Sequence, residues 1–95
     1  MKLLKIVESD KPEKKLMAVF QSDSGRTKTV HFGQRSADDY TITKDKAQRE
    51  RYLNRHKANE DWSNPTSAGA LARFVLWSST TIAGGIRNYR KRFNL

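Results

Sequence analysis

Lys46, Arg49, Arg51, Arg55 and Lys57, followed by Arg87, Arg90, Lys91 and Arg92, are the residues whose types and spacing could do chemistry. The chemistry is phosphate recognition. Guanidinium groups dominate the second set, and their planar fork meets a phosphate through two parallel hydrogen bonds, where an ammonium offers a point charge. No acidic residue lies within the closing RNYRKRF. If roughly six of these cations touched phosphates on duplex DNA, log K would fall with log salt at a slope of about −5. The competing reading is structural: the arginines lay their stems over apolar helix surface and pair with Glu50, Glu60 and Asp61. Base-specific readout is not expected. No helix presents Asn, Gln or Arg in a docking frame for the major groove, and the strands lack the aromatic ladder of an RNA-binding sheet despite Phe20, His31 and Phe32.

Catalysis fits the chain badly. His31 and His56 are the only histidines and cysteine is absent, so a zinc site would lack a third nitrogen or sulfur ligand. The carboxylates fall in two pairs, Asp38-Asp39 and Glu60-Asp61. Either could hold a divalent cation, but the first immediately precedes a helix, where acids are expected for capping alone. No serine or threonine sits in a nucleophile-elbow context, and Gly84-Gly85 lacks the lysine and hydroxyl of a phosphate loop. A metal-dependent nuclease built on Asp38, Asp39 or His56 is the weakest of the readings. The expectation is a non-enzymatic protein without cofactor or metal.

The positioning elements divide the chain at Gly33. KLLKIV (2–7), LMAVFQ (16–21) and RTKTVHF (26–32) read as strands, separated by a polar loop containing Pro12 and by Ser22-Asp23-Ser24-Gly25, a turn with glycine where positive φ is needed. Val30 and Phe32 alternate with Thr29 and His31, so one face of a three-stranded antiparallel meander turns to a core and the other to solvent or a partner. From 34 to 95 the pattern is helical. Lys44 to about Asn59 forms a basic helix, started by Thr43 and Asp45, whose thin apolar stripe is Ala47, Tyr52, Leu53 and His56. Asn64-Pro65 reads as an N-cap with proline at the first helical position, opening a helix to about Ser78 with Arg73 its only charge. Ile82, Ile86, Tyr89 and Phe93 then share one face of a last helix, where Gly84-Gly85 costs about 1 kcal/mol per glycine relative to alanine and suits the close approach of another backbone. Trp62 and Trp77 read as core anchors. The fold class predicted is α+β, a β-meander followed by three α-helices in a single domain, 1–33 and 34–95, with the middle helix most buried.

Length and composition agree. Ninety-five residues carry a net charge of +9, with a mean hydropathy of −0.85. Residues 1–40 hold eight Lys/Arg against six Asp/Glu, whereas residues 41–95 hold eleven against four, so the excess lies in the helical half and attracts polyanions. No apolar run is long enough for a transmembrane helix. The apolar part of the N-terminus is too short for a signal-peptide core, and the lack of cysteine fits an intracellular setting.

The run from Phe32 carries a resemblance. FG, DYTITKD, RERYLNRH, EDW, NPTSAG, ALARFVLW and the late Ile/Tyr/Arg-Phe helix resemble a family of short basic proteins, with no established activity, encoded by large nucleocytoplasmic double-stranded DNA viruses of algae and protists. The likeness spans Gly33 to Phe93 and centres on an RxRYxxRHxxxExW element. It implies a viral product, located in the virion or in the infected cell's cytoplasmic factory or nucleus. Two roles suit that context. One is DNA condensation or packaging by a protein that binds nucleic acid, double-stranded DNA foremost, through phosphates and without sequence specificity. The alternative is a minor structural virion protein that turns the same basic surface to capsid or other virion proteins.

Overall fold

In a computed structural model covering residues 1–95, the N-terminal third is a meander of β1 (Lys2–Glu8), β2 (Lys14–Gln21) and β3 (Thr27–Gln34), all antiparallel and in the order β1-β2-β3. Gly25 sits at φ +88° in the β2–β3 turn, a conformation only glycine adopts without strain. Arg35 holds the β1–β2 loop from outside, donating to Glu8 Oε1, to the Ser9 carbonyl and to the Lys11 carbonyl. The register sets Ala18 between Ile6 and Val30, and Phe20 opposite Leu3. Between Leu3 and Lys5 the pairing slips by a bulge at Leu4, so Leu3 and Ile6 both turn to the core face although an odd number of bonds separates them. Leu3, Ala18, Phe20 and Phe32 are buried on that face, Phe32 as the alternation in β3 predicts. The other face, which carries Val7, Met17 and His31, has no helix over it.

The helical half is α1 (Tyr40–Thr43), α2 (Lys46–His56), α3 (Ala68–Leu71) running into a π-helical turn (Ala72–Leu76), and α4 (Ile82–Phe93). The fold is α+β, as expected, but two helix boundaries differ from the sequence reading. The basic helix is preceded by a separate turn of helix: Lys44 takes the left-handed conformation at φ 55° and ends α1, and Asp45 restarts the chain by accepting from Ala47 N and Gln48 N. The central helix begins at Ser67, whose Oγ accepts from Ala70 N at 3.1 Å, not at Asn64. Asn64 Oδ1 accepts instead from Thr66 N within a turn, because Pro65 and Thr66 do not continue into helix. The π turn carries Val75 and Leu76 into the core, and Trp77 just past its end is buried beside them.

Two glycines make the packing possible. A Cβ on Gly33 would meet Leu76 Cδ1 at 2.7 Å, and one on Gly85 would meet the Val75 carbonyl oxygen at 2.0 Å. The first lets the central segment lie on the sheet. The second brings α4 onto the backbone of the π turn, the close approach anticipated for Gly84-Gly85. Tyr89 is fully buried in that seam and donates its hydroxyl to the Pro65 carbonyl at 2.5 Å. Side chains from the sheet and the helices join in one hydrophobic cluster.

Candidate nucleic-acid interface

Each basic helix is anchored on the central segment through its apolar side. In α2, Tyr52 stacks on Trp77 with ring centroids 4.1 Å apart and planes 6° apart, and on its other side on His56 at 4.3 Å. In α4, Phe93 meets Phe74 edge-on at 5.5 Å and Asn88 donates to Ser78 Oγ. These contacts orient the remaining surface of the two helices outward.

Arg49 does not point outward. Its Nε donates to the Trp77 carbonyl at 2.7 Å, its guanidinium lies 5.6 Å from the Tyr40 ring, and Glu50 is 3.7 Å away. The structural alternative weighed from the sequence therefore holds for this residue, which fastens α2 to the end of the π turn. The other predicted residues differ. Lys46, Arg51 and Arg55 on α2, Lys57 at its C-cap, and Arg87, Lys91 and Arg92 on α4 are exposed, and Arg90 is half-buried. None of them takes part in the molecule's ion pairs, which use Lys15, Arg35, Arg49, the two histidines and the N-terminus. Glu60 and Asp61, expected as partners for the arginines, are engaged elsewhere. Glu60 binds His56 Nδ1 and Trp62 Nε1. Asp61 accepts from the Ser63 hydroxyl and amide, bonds that hold its carboxyl below the usual carboxylate range. Arg90, Lys91 and Arg92 also occupy the last turn of α4, where cations complement the helix dipole.

Several polar residues were legible only in three dimensions. Arg73 lies between the rings of Trp62, at 5.3 Å, and Phe74, at 4.9 Å, while its Nε and Nη1 are buried without a partner. Desolvation, reinforced by the Arg49 charge, lowers its pKa from the ordinary guanidinium value. Asp39, 2% exposed, accepts from Thr41 N at 2.9 Å and binds Lys15 Nζ at 2.5 Å. Its position before a helix suggested the cap; nothing in the sequence paired it with a lysine on β2. His31 binds Ser9 Oγ at 2.7 Å. No three His, Asp or Glu side chains converge as a metal site would require, and the Asp39 carboxylate is engaged by its cap and its ion pair.

The fold and surface define a small α+β module with a one-sided sheet and two cationic helices. Over residues 4–56 it matches a family of unknown function, DUF5754, and belongs to that family. The matched span holds the meander, α1 and α2. It thus includes the strands that lie outside the Gly33–Phe93 resemblance and stops before the central segment and α4. Comparison with curated proteins finds no match, and comparison with solved structures finds none.

Proposed function

We propose that this protein is a non-enzymatic basic module that binds nucleic acid through phosphate contacts without sequence preference, in the condensation or packaging of a viral DNA genome. The observation that carries the reading is the set of unpaired cations on α2 and α4: Arg51, Arg55, Arg87, Arg90 and Arg92, with Lys46, Lys57 and Lys91. A protein keeps uncompensated guanidinium groups on two helices at a cost in self-repulsion, and a polyanion relieves it. The viral setting, in the particle or the infected cell, comes from the resemblance in the Gly33–Phe93 stretch.

Fluorescence anisotropy with an unrelated duplex DNA over a salt series tests the reading. Micromolar or tighter binding at low salt is expected, with a log–log salt slope of about −5 for roughly six phosphate contacts. Reversing Arg87 and Arg90 to glutamate is expected to flatten that slope by about two. Absence of binding at low salt would sink the proposal. The alternative is a minor structural virion protein that turns the same basic surface to capsid or other virion proteins, with the uncovered sheet face, where Val7 is 37% exposed and Leu4 at the bulge 45% exposed, as a further apolar contact. Binding to capsid protein that persists at high salt is its signature.

A further inference from the structure

A cleft of about 620 Å³ opens where the β2–β3 edge, α2 and α3 meet. Its volume lies in the range of small-molecule sites. Small residues keep it open: Gly33, Ala37, Ala68, Gly69 and Ala72 all line it. One wall is the end of the aromatic stack. Trp77 is the buried ring, Tyr52 has both faces taken, and His56 is the outermost ring, its side chain 38% exposed. The imidazole is held in place. Glu60 Oε1 bonds its Nδ1 at 2.9 Å, and the same carboxylate is fixed through Oε2 by Trp62 Nε1 at 3.0 Å. Gly69 is needed for this, since a Cβ there would meet Glu60 Oε2 at 2.5 Å. On the lining of the same cleft, Arg55 and Lys14 bring cations without ion-pair partners, Gln34 and Gln48 bring amides, and Asp38 brings a carboxylate.

This combination has a chemical reading. A flat ring at the free end of a stack offers a face to another flat ring. Amides and a carboxylate match the mixed donors and acceptors of a base edge, and two cations beside them match a phosphate. We propose that the cleft receives one unstacked nucleotide, its base laid on His56 and its phosphate held by Arg55 and Lys14. The proposal rests on the nucleic-acid reading above and deepens it: the protein holds single strands or strand ends in the cleft, in addition to gripping duplex by charge. Tyr52 and Trp77 act as positioning residues, keeping His56 in plane without touching the base.

The test compares a thymidine homopolymer, a duplex of equal length and adenosine 5′-monophosphate as probes for the full chain, using anisotropy for the first two and amide chemical-shift changes for the third. Two variants interrogate the cleft. His56→Ala removes the stacking face, and Ala37→Trp narrows the opening from an exposed position that belongs to neither basic helix. With native circular dichroism retained, each is expected to weaken single-strand binding about tenfold, the worth of one base–aromatic stack, and to leave duplex affinity within about twofold. The mononucleotide is expected to shift the amides of Gln34, Gln48 and His56. Unchanged single-strand binding in both folded variants would overturn the proposal. So would inorganic phosphate shifting the same amides at the same concentration as the mononucleotide. In either case salt-steep duplex binding would leave the phosphate reading standing. Failure of both strands and duplex to bind at low salt would remove both readings together.

Discussion

Asp39 ties the sheet to the helical half through two bonds. It is nearly inaccessible, its carboxylate caps α1 at Thr41, and its charge is met by Lys15, whose side chain is 14% exposed. Removing one member of a buried pair strands the other in a poorly solvated place. Asp39→Ala is therefore expected to lower unfolding stability by about 3 kcal/mol or more, read from urea denaturation. Lys15→Met in the same background should recover part of that loss, since it deletes the stranded charge. A loss of under about 0.5 kcal/mol, as for an exposed pair, would show that the bridge is not shielded. Arg49 illustrates the opposite lesson for charged residues. By type it belongs with the cations of α2, yet its guanidinium is spent on the Trp77 carbonyl.

Among the elements, α4 has the firmest sequence signature and the most demanding contact. Thr81 caps it, accepting from Gly84 N at 3.0 Å, and Asn94 ends it in the left-handed conformation at φ 55°. Its seat against the π turn allows no side chain at position 85. Gly85→Ala raises intrinsic helix propensity by about 1 kcal/mol, but its methyl group would fall 2.0 Å from the Val75 oxygen, and backbone cannot swing aside as a side chain can. Net destabilisation of about 1–3 kcal/mol is expected, visible as a lowered denaturation midpoint. A stabilised variant would mean that α4 is not seated on Val75. The π turn is the partner in this geometry, because it turns the Val75 carbonyl toward the helix that Gly85 admits.

For the whole molecule, two tyrosines report on the two seams that join the helices to the central segment. Tyr52 lies in the α2 seam and Tyr89 in the α4 seam; desolvation raises the pKa of both phenols well above the ordinary value of 10.0, with the Glu60 charge adding to the effect at Tyr52. The folded state thus keeps both protonated at pH values where the unfolded chain ionises them. The stability they provide is fully present below pH 10 and is lost as pH rises through the raised folded values. Denaturation midpoints are expected to fall above pH 10, and Tyr52→Phe with Tyr89→Phe should flatten that decline. An unchanged alkaline slope in the double variant would place the phenols in contact with water.

Local chemistry in the chain was sufficient for much of this architecture. Gly25 in its turn, the alternation around Phe32, the Asp45 start and the Ile86-Tyr89-Phe93 face all express preferences that act within a few residues, so they can be read without knowing the partner. The helix start at Ser67 could not be read that way. Asn64-Pro65 satisfies the local rule equally well, and packing of Leu71, Val75 and Leu76 against the sheet chose between them. The basic surface divides along the same line. Residue type identifies every cation of α2 and α4, but whether a guanidinium faces solvent, a carbonyl or a ring depends on segments distant in sequence: Trp77 for Arg49, Trp62 for Arg73. The cleft is the clearest case, since Lys14, Gln34, His56 and Gly69 lie far apart along the chain and become neighbours only when α2 and α3 close over the edge of the sheet.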